Sequence, residues 1–119
     1  MSIVFATTRA ESLGEFMDSL TDSSGQKIDV VSSGKAALEA VKDGAVKLVV
    51  IDEGLHDFTS LDLALEVIKV NAMVHTATVT SLSAKDFHDK SEGLGVLMGL
   101  PVNPGKEDGV KLAEAFGRM

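Results

Sequence analysis

The stretch Val46-Lys47-Leu48-Val49-Val50-Ile51-Asp52-Glu53 decides the reading of the fold. From Val46 to Ile51 it is almost entirely β-branched residues and leucine, the composition of a strand covered on both faces, and it runs straight into an acidic pair. This predicts a central strand with Asp52 at its carboxyl end. Upstream, the apolar run Ile3-Val4-Phe5-Ala6 is closed by Thr7-Thr8, and Leu13, Phe16, Met17 and Leu20 follow at helical spacing. Ser23-Ser24-Gly25 breaks the chain, within a polar cluster from Thr21 to Lys27 that reads as a loop. Ile28, Val30 and Val31 then form a second strand, and Ser32-Ser33-Gly34 introduces a helix carrying Ala37, Leu38 and Val41.

Downstream, Leu61 to Val70 places Asp62, Glu66 and Lys69 on one wet stripe of an otherwise apolar helix, which predicts heavy burial. Met73 to Thr80 alternates apolar residues with His75, Thr76, Thr78 and Thr80. Ala84 to Ser91 is weakly helical, and Val96 to Leu100 is an apolar strand stopped by Pro101 and Pro104. In the last segment, Glu107 to Arg118, Val110, Ala113 and Phe116 share a face with Leu112 and Ala115 beside them, opposite Lys111, Glu114 and Arg118. Strands alternating strictly with helices require a parallel sheet with right-handed crossovers and helices on both faces. The expectation is a flavodoxin-like three-layer α/β/α sandwich of five parallel strands in the order 2-1-3-4-5 and five helices, one domain over residues 1–119.

Composition narrows the function. The chain has 119 residues, 45% apolar and 24% charged, and no apolar run long enough to span a membrane. Its 11 Lys and Arg against 18 Asp and Glu leave a net charge of −7, which disfavours nucleic acid and anionic membrane as partners. Without cysteine, thiolate metal sites, sulfur nucleophiles and disulfides are excluded, and without Trp or Tyr there is no aromatic platform for bases or sugars. The start Met1-Ser2-Ile3-Val4-Phe5 lacks the basic region of a secretory signal, since Arg9 follows the apolar run, so a cytoplasmic location is expected.

Several residues suggest chemistry. Gly34-Lys35 sits between a strand and a helix, but a phosphate-cradling loop needs Gly where Asp29 stands and Ser or Thr where Ala36 stands, so a helix-capping turn is expected. Gly93, Gly95 and Gly99 lead from helix into strand, the reverse of the dinucleotide order, and read as turn and packing glycines. His56, His75 and His88 have no metal or triad spacing; His75 belongs to a strand and the other two to the surface. Met17, Met73 and Met98 read as core filler. Asp52 stands where parallel sheets expose reactive groups, and carboxylates can form acyl phosphates; equally, it could merely cap the strand end or begin a turn.

Taken together, four stretches give the chain a resemblance to response-regulator receiver domains over nearly its whole length. Ile28 to Val41 is similar to the family's second strand, glycine turn and second helix. Leu48-Val49-Val50-Ile51-Asp52 resembles the third strand with its phosphoacceptor, Val79-Thr80-Ser81 the strand end with the switch hydroxyl, and Gly93 to Pro101 keeps the spacing around the fifth strand. The resemblance implies Mg²⁺-dependent transfer of a phosphoryl group from a histidine kinase to Asp52, relayed through Thr80. It also marks departures. The acidic pair that would hold Mg²⁺ is Thr7-Thr8, the lysine before the fifth-strand proline is Leu100, the aromatic partner of the switch hydroxyl is Leu97, and His56 and Ser60 replace a proline and a glycine. Hydroxyls cannot match two carboxylates for a hard dication, and a missing cation leaves developing charge unopposed.

The resulting expectation is an atypical receiver of a two-component or phosphorelay system, not an enzyme. It would act as a protein-interaction module with Mg²⁺ binding weak or absent and no resident metal or other cofactor. The family's face for a histidine kinase, an output protein or a homodimer would be the fourth helix, fifth strand and fifth helix, roughly Ala84 to Lys90, Val96 to Leu100 and Glu107 to Phe116. The alternative is a phosphoacceptor with relaxed chemistry in which Glu53, Thr7 or Thr8 partly replace the missing groups. A third reading is small-molecule binding at a cleft of Thr7, Asp52 and Thr80.

Overall fold

The apolar run at the centre of the sequence forms β3 (Val46–Ile51), and it lies in the middle of the sheet. A computed structural model describes residues 2–42, 44–94 and 96–117. In chain order β1 (Ser2–Ala6) leads through a 3₁₀ turn (Ala10–Leu13) into α1 (Gly14–Ser24), followed by β2 (Lys27–Val31) and α2 (Gly34–Val41). After β3 come α3 (Ser60–Val70), β4 (His75–Val79), α4 (Ala84–Ser91), β5 (Val96–Leu100) and α5 (Lys106–Gly117). The five strands pair in the order β2-β1-β3-β4-β5, all parallel, as the alternation of elements predicts.

Strand pleating sends alternate side chains to two cores. On one face Ile3, Phe5, Leu48, Val50, Ala77 and Val79 pack with Phe16 and Leu20 of α1 and Leu112 of α5. On the other, Val4, Ala6, Val49 and Ile51 pack with Ala37 and Val41 of α2 and with Leu63 and Val67 of α3. Two irregularities break the alternation. The β1–β3 ladder steps from Ser2↔Val46 to Ile3↔Leu48, leaving Lys47 as the extra residue of a bulge, and the β4–β5 ladder steps from Thr76↔Val96 to Ala77↔Met98, leaving Leu97 extra. Leu97 packs against the α1–α5 core.

Four sequence expectations change. The polar cluster from Thr21 to Lys27 is mostly regular structure: α1 continues through Ser24, Gly25 closes it at φ 70° with its N–H on the Thr21 carbonyl, and β2 starts at Lys27. Buried Leu20 anchors that last turn, and the left-handed glycine, not the serines, ends it. In α3 only Leu63, Ala64 and Val67 are fully buried, because one face alone meets the sheet, and Val70 is 43% exposed. Met73 is 75% exposed, since β4 begins at His75 and Met73 lies in the preceding turn.

The buried face of α5 keeps Ala113, the flanking Leu112 and a partly buried Phe116 from the expected stripe, but it centres on Gly109 where Val110 was expected. Gly109 causes this by letting α1 approach: a Cβ there would lie 1.9 Å from Ser19 Oγ and 2.7 Å from the Phe16 carbonyl oxygen. Ser19 Oγ also donates to the Lys106 carbonyl at 2.8 Å, fastening the two helices. The readings placed on Gly95 and Arg118 lie outside the described residues.

Candidate functional site

Parallel pairing of β1 with β3 sets Ala6 opposite Ile51, so the next residues along, Thr7 and Asp52, emerge side by side at the carboxyl end of the sheet. Backbone bonds continue the ladder there, from Thr7 N to the Val31 carbonyl and from Asp52 N to the Ala6 carbonyl, both at 2.9 Å. Asp52 is 1% exposed and Thr7 2%. A buried carboxylate must be met by donors or a counter-charge, and Asp52 has both. Thr7 Oγ1 donates to Asp52 Oδ2 at 2.6 Å. The Arg9 guanidinium grips the same carboxylate with two donors, Nε to Oδ2 at 2.8 Å and Nη2 to Oδ1 at 2.9 Å, the fork-to-fork geometry of a strong charge-assisted pair.

Arg9 is itself held from several sides. Its backbone N–H donates to Thr7 Oγ1 at 3.1 Å, its Nη1 to Asn103 Oδ1 at 3.0 Å, and its Nη2 also to the Val102 carbonyl. One side chain thus joins the end of β1, the end of β3 and the β5–α5 loop. The bonds to Asp52 push the guanidinium pKa further above its already high value against the opposing effect of burial, and the charges of Asp52 and Glu53 add to the rise.

The other site residues are engaged elsewhere. Thr8 is exposed. Glu53 accepts from Ser81 N at 2.9 Å and Ser81 Oγ at 3.2 Å, which ties the end of β3 to the segment after β4. Thr80 Oγ1 accepts from Leu82 N at 3.1 Å in the turn towards α4. Leu100 is 1% exposed, its side chain in the α1–α5 core and its carbonyl accepting from Thr80 N at 2.9 Å. The structure therefore brings Thr7 to Asp52, leaves Thr8 at the surface, and gives Glu53 and Leu100 other partners.

The Gly34-Lys35 turn is a cap, as expected, and its anion is the chain's own. Ser33 Oγ accepts from Ala36 N at 3.1 Å, and the Asp57 carboxylate accepts from Gly34 N and Lys35 N, each at 2.9 Å. The Gly34 N–H, then that of Lys35, lower the Asp57 pKa below the ordinary 3.8. His75 begins β4 with its ring edge-on to Phe116, centroids 6.2 Å apart, while His56 and His88 are exposed. Among the described residues no group of three His, Cys, Asp or Glu is placed to hold a metal ion.

The residue that sequence reasoning missed is Arg9. Its signal was positional: a lone arginine just past the end of a first strand that was itself expected to flank Asp52.

No protein-family model matches the chain. Over 80 residues, 67% of this chain, it is 36% identical to the aerobic respiration control sensor protein ArcB of Escherichia coli K12. The match covers 10% of that protein, so the chain spans about a tenth of the relative's length. Among solved structures it is similar to a CheY-like response regulator receiver domain protein from Methanospirillum hungatei JF-1, with a TM-score of 0.80 at 15% identity over 98% of this chain and 94% of that one. It is also similar to the beryllofluoride-activated NtrC4 receiver domain dimer, with a TM-score of 0.82 at 13% identity over 98% and 97% of the two chains. The chain has the flavodoxin-like receiver fold.

Proposed function

We propose that this chain is an atypical receiver domain of a two-component system, a protein-interaction module and not an enzyme, in which Arg9 occupies the carboxylate that typical receivers use for chemistry. The observation that carries this reading is the two-pronged Arg9–Asp52 pair at 2.8 and 2.9 Å, completed by Thr7 at 2.6 Å. A nucleophilic carboxylate needs a free oxygen, and a resident Mg²⁺ needs several oxygen ligands around it. Here both oxygens of Asp52 accept hydrogen bonds from a fixed cation, Thr7 points its proton at one of them, and Glu53 is bound to Ser81. These residues do not fit Mg²⁺: a guanidinium stands where the metal would bind, and it repels a second cation.

The partners this reading implies are a histidine kinase or an output protein, met through α4, β5 and α5, with a homodimer across the same face as a further option. The NtrC4 neighbour, in its activated form, is a dimer. A cytoplasmic location accords with this role, and no helix among the described residues is long and apolar enough to cross a membrane.

The test is incubation with acetyl phosphate and Mg²⁺ followed by intact mass measurement, with Asp52→Asn as the control. In parallel, amide spectra are recorded with beryllofluoride and Mg²⁺. No phosphoryl mass gain and unmoved amides at Asp52 and Thr80 are expected. A phosphoryl group on the wild-type chain that disappears in Asp52→Asn would overturn the reading in favour of a phosphoacceptor whose acyl phosphate Arg9 stabilises.

A further inference from the structure

The opposite end of the sheet holds a second feature that the receiver reading does not use. A cavity of about 490 Å³ opens at the amino ends of β3 and β4, between the C-terminal turns of α1 and α5. Its volume lies in the range of small-molecule sites. Phe116 and Met73 line it with apolar surface, and Lys47, His75, Ser23 and Gln26 line it with polar groups.

Lys47 is the unusual member. It is half-buried, in a strand whose other five residues are all buried, and it is the extra residue of the β1–β3 bulge. Bulges in a central strand re-aim a side chain at the cost of regular pairing, and they recur beside functional sites. Without the bulge, Lys47 would keep strict alternation with Leu48; with it, Lys47 lines the cavity beside α5. Among the described residues no carboxylate lies within ion-pair distance of Lys47, although the chain carries 18 acidic residues. Among the described residues no Asp or Glu lines the cavity. A half-buried cation with no acidic partner among the described residues, in a cleft that no described acid lines, is complementary to an anion. The exposed thioether of Met73 and the Phe116 ring, braced edge-on by His75, offer the matching apolar wall.

We propose that this cavity binds a small organic acid, with its carboxylate on Lys47 and an aliphatic or aromatic body against Phe116 and Met73. His75 and the Ser23 hydroxyl supply further hydrogen-bonding groups at the rim. The site is separate from Asp52, and ligand there would reach α5 directly through Phe116.

The test is titration of the ¹⁵N-labelled chain with 4-phenylbutyrate and, separately, with 4-phenylbutan-1-ol, which keeps the apolar body and lacks the charge. The acid is expected to shift the amides of Lys47, His75 and Phe116 saturably and to bind about tenfold or more tightly than the alcohol. Lys47→Arg should keep that preference and Lys47→Met should abolish it. Absence of saturable shifts at these amides, equal affinity for acid and alcohol, or an undiminished preference in Lys47→Met would each refute the proposal. The amide spectrum of each variant reports its folding, and the acid-to-alcohol comparison on the wild-type chain decides the matter if a variant does not fold.

Discussion

Truncating a side chain that neutralises a buried charge costs more than the contacts it removes, because the charge stays behind. Asp52 is 1% exposed and Arg9 about 30%, so Arg9→Ala is expected to destabilise by about 2–3 kcal/mol, below the range for fully buried pairs. Arg9→Ala combined with Asp52→Ala should recover part of that loss, a coupling that urea unfolding of the four-member cycle measures; simple additivity would show that the pair contributes nothing specific. The raised guanidinium pKa means that the Arg9 contribution is fully present in the neutral range and is lost on the alkaline side as pH rises through that raised value. Asp57 behaves oppositely. Its lowered pKa gives stability that is complete above the ordinary 3.8 and fades as pH falls through the lower folded value. The stability difference between wild type and Asp57→Asn should therefore be constant from neutral pH down to the carboxylate range and shrink below it; a difference that grows on acidification would contradict the capping role. Neither partner of these charges was legible locally. Arg9 and Asp57 act across 43 and 23 positions of sequence, and no periodicity records such a meeting.

At the scale of elements the sequence was far more legible, for physical reasons visible in each case. The run from Val46 to Ile51 reads as a buried strand because both of its faces meet helices, and α2 reads correctly because Ser33 is a true side-chain cap. Errors fell where a single residue overrode the pattern: α1 runs through its serines and ends only at the left-handed Gly25, and Gly109 shifts the buried face of α5. On β4 the alternation marks the strand, and its threonines turn out buried. Thr76 and Thr78 are 0% exposed and their hydroxyls have no hydrogen-bond partner among the described residues. Replacing either by the isosteric valine removes a buried unsatisfied group, and Thr76→Val and Thr78→Val are each expected to raise stability by about 1 kcal/mol. A rise in the urea midpoint at unchanged slope checks this, and a fall would mean that the hydroxyls are bonded.

For the whole molecule the dominant electrostatic fact is a net charge of −7 on 119 residues. Mutual repulsion of that kind is screened by salt, whereas a pair as enclosed as Arg9 and Asp52 is screened much less. The melting temperature should therefore rise as sodium chloride is increased from a few millimolar to about 0.15 M, where the Debye length is about 8 Å. A drop over that range would place the weight on exposed ion pairs such as Lys42–Glu39 instead. The Arg9 knot also has a chronology. Its carboxylate comes from residue 52, but two of its acceptors, on Val102 and Asn103, lie well downstream in the β5–α5 loop. A nascent chain emerging from the ribosome exposes residues 9 and 52 well before residues 102 and 103, so the arginine gains its second set of anchors, and the carboxyl end of the sheet its closure, only once the β5–α5 loop has followed.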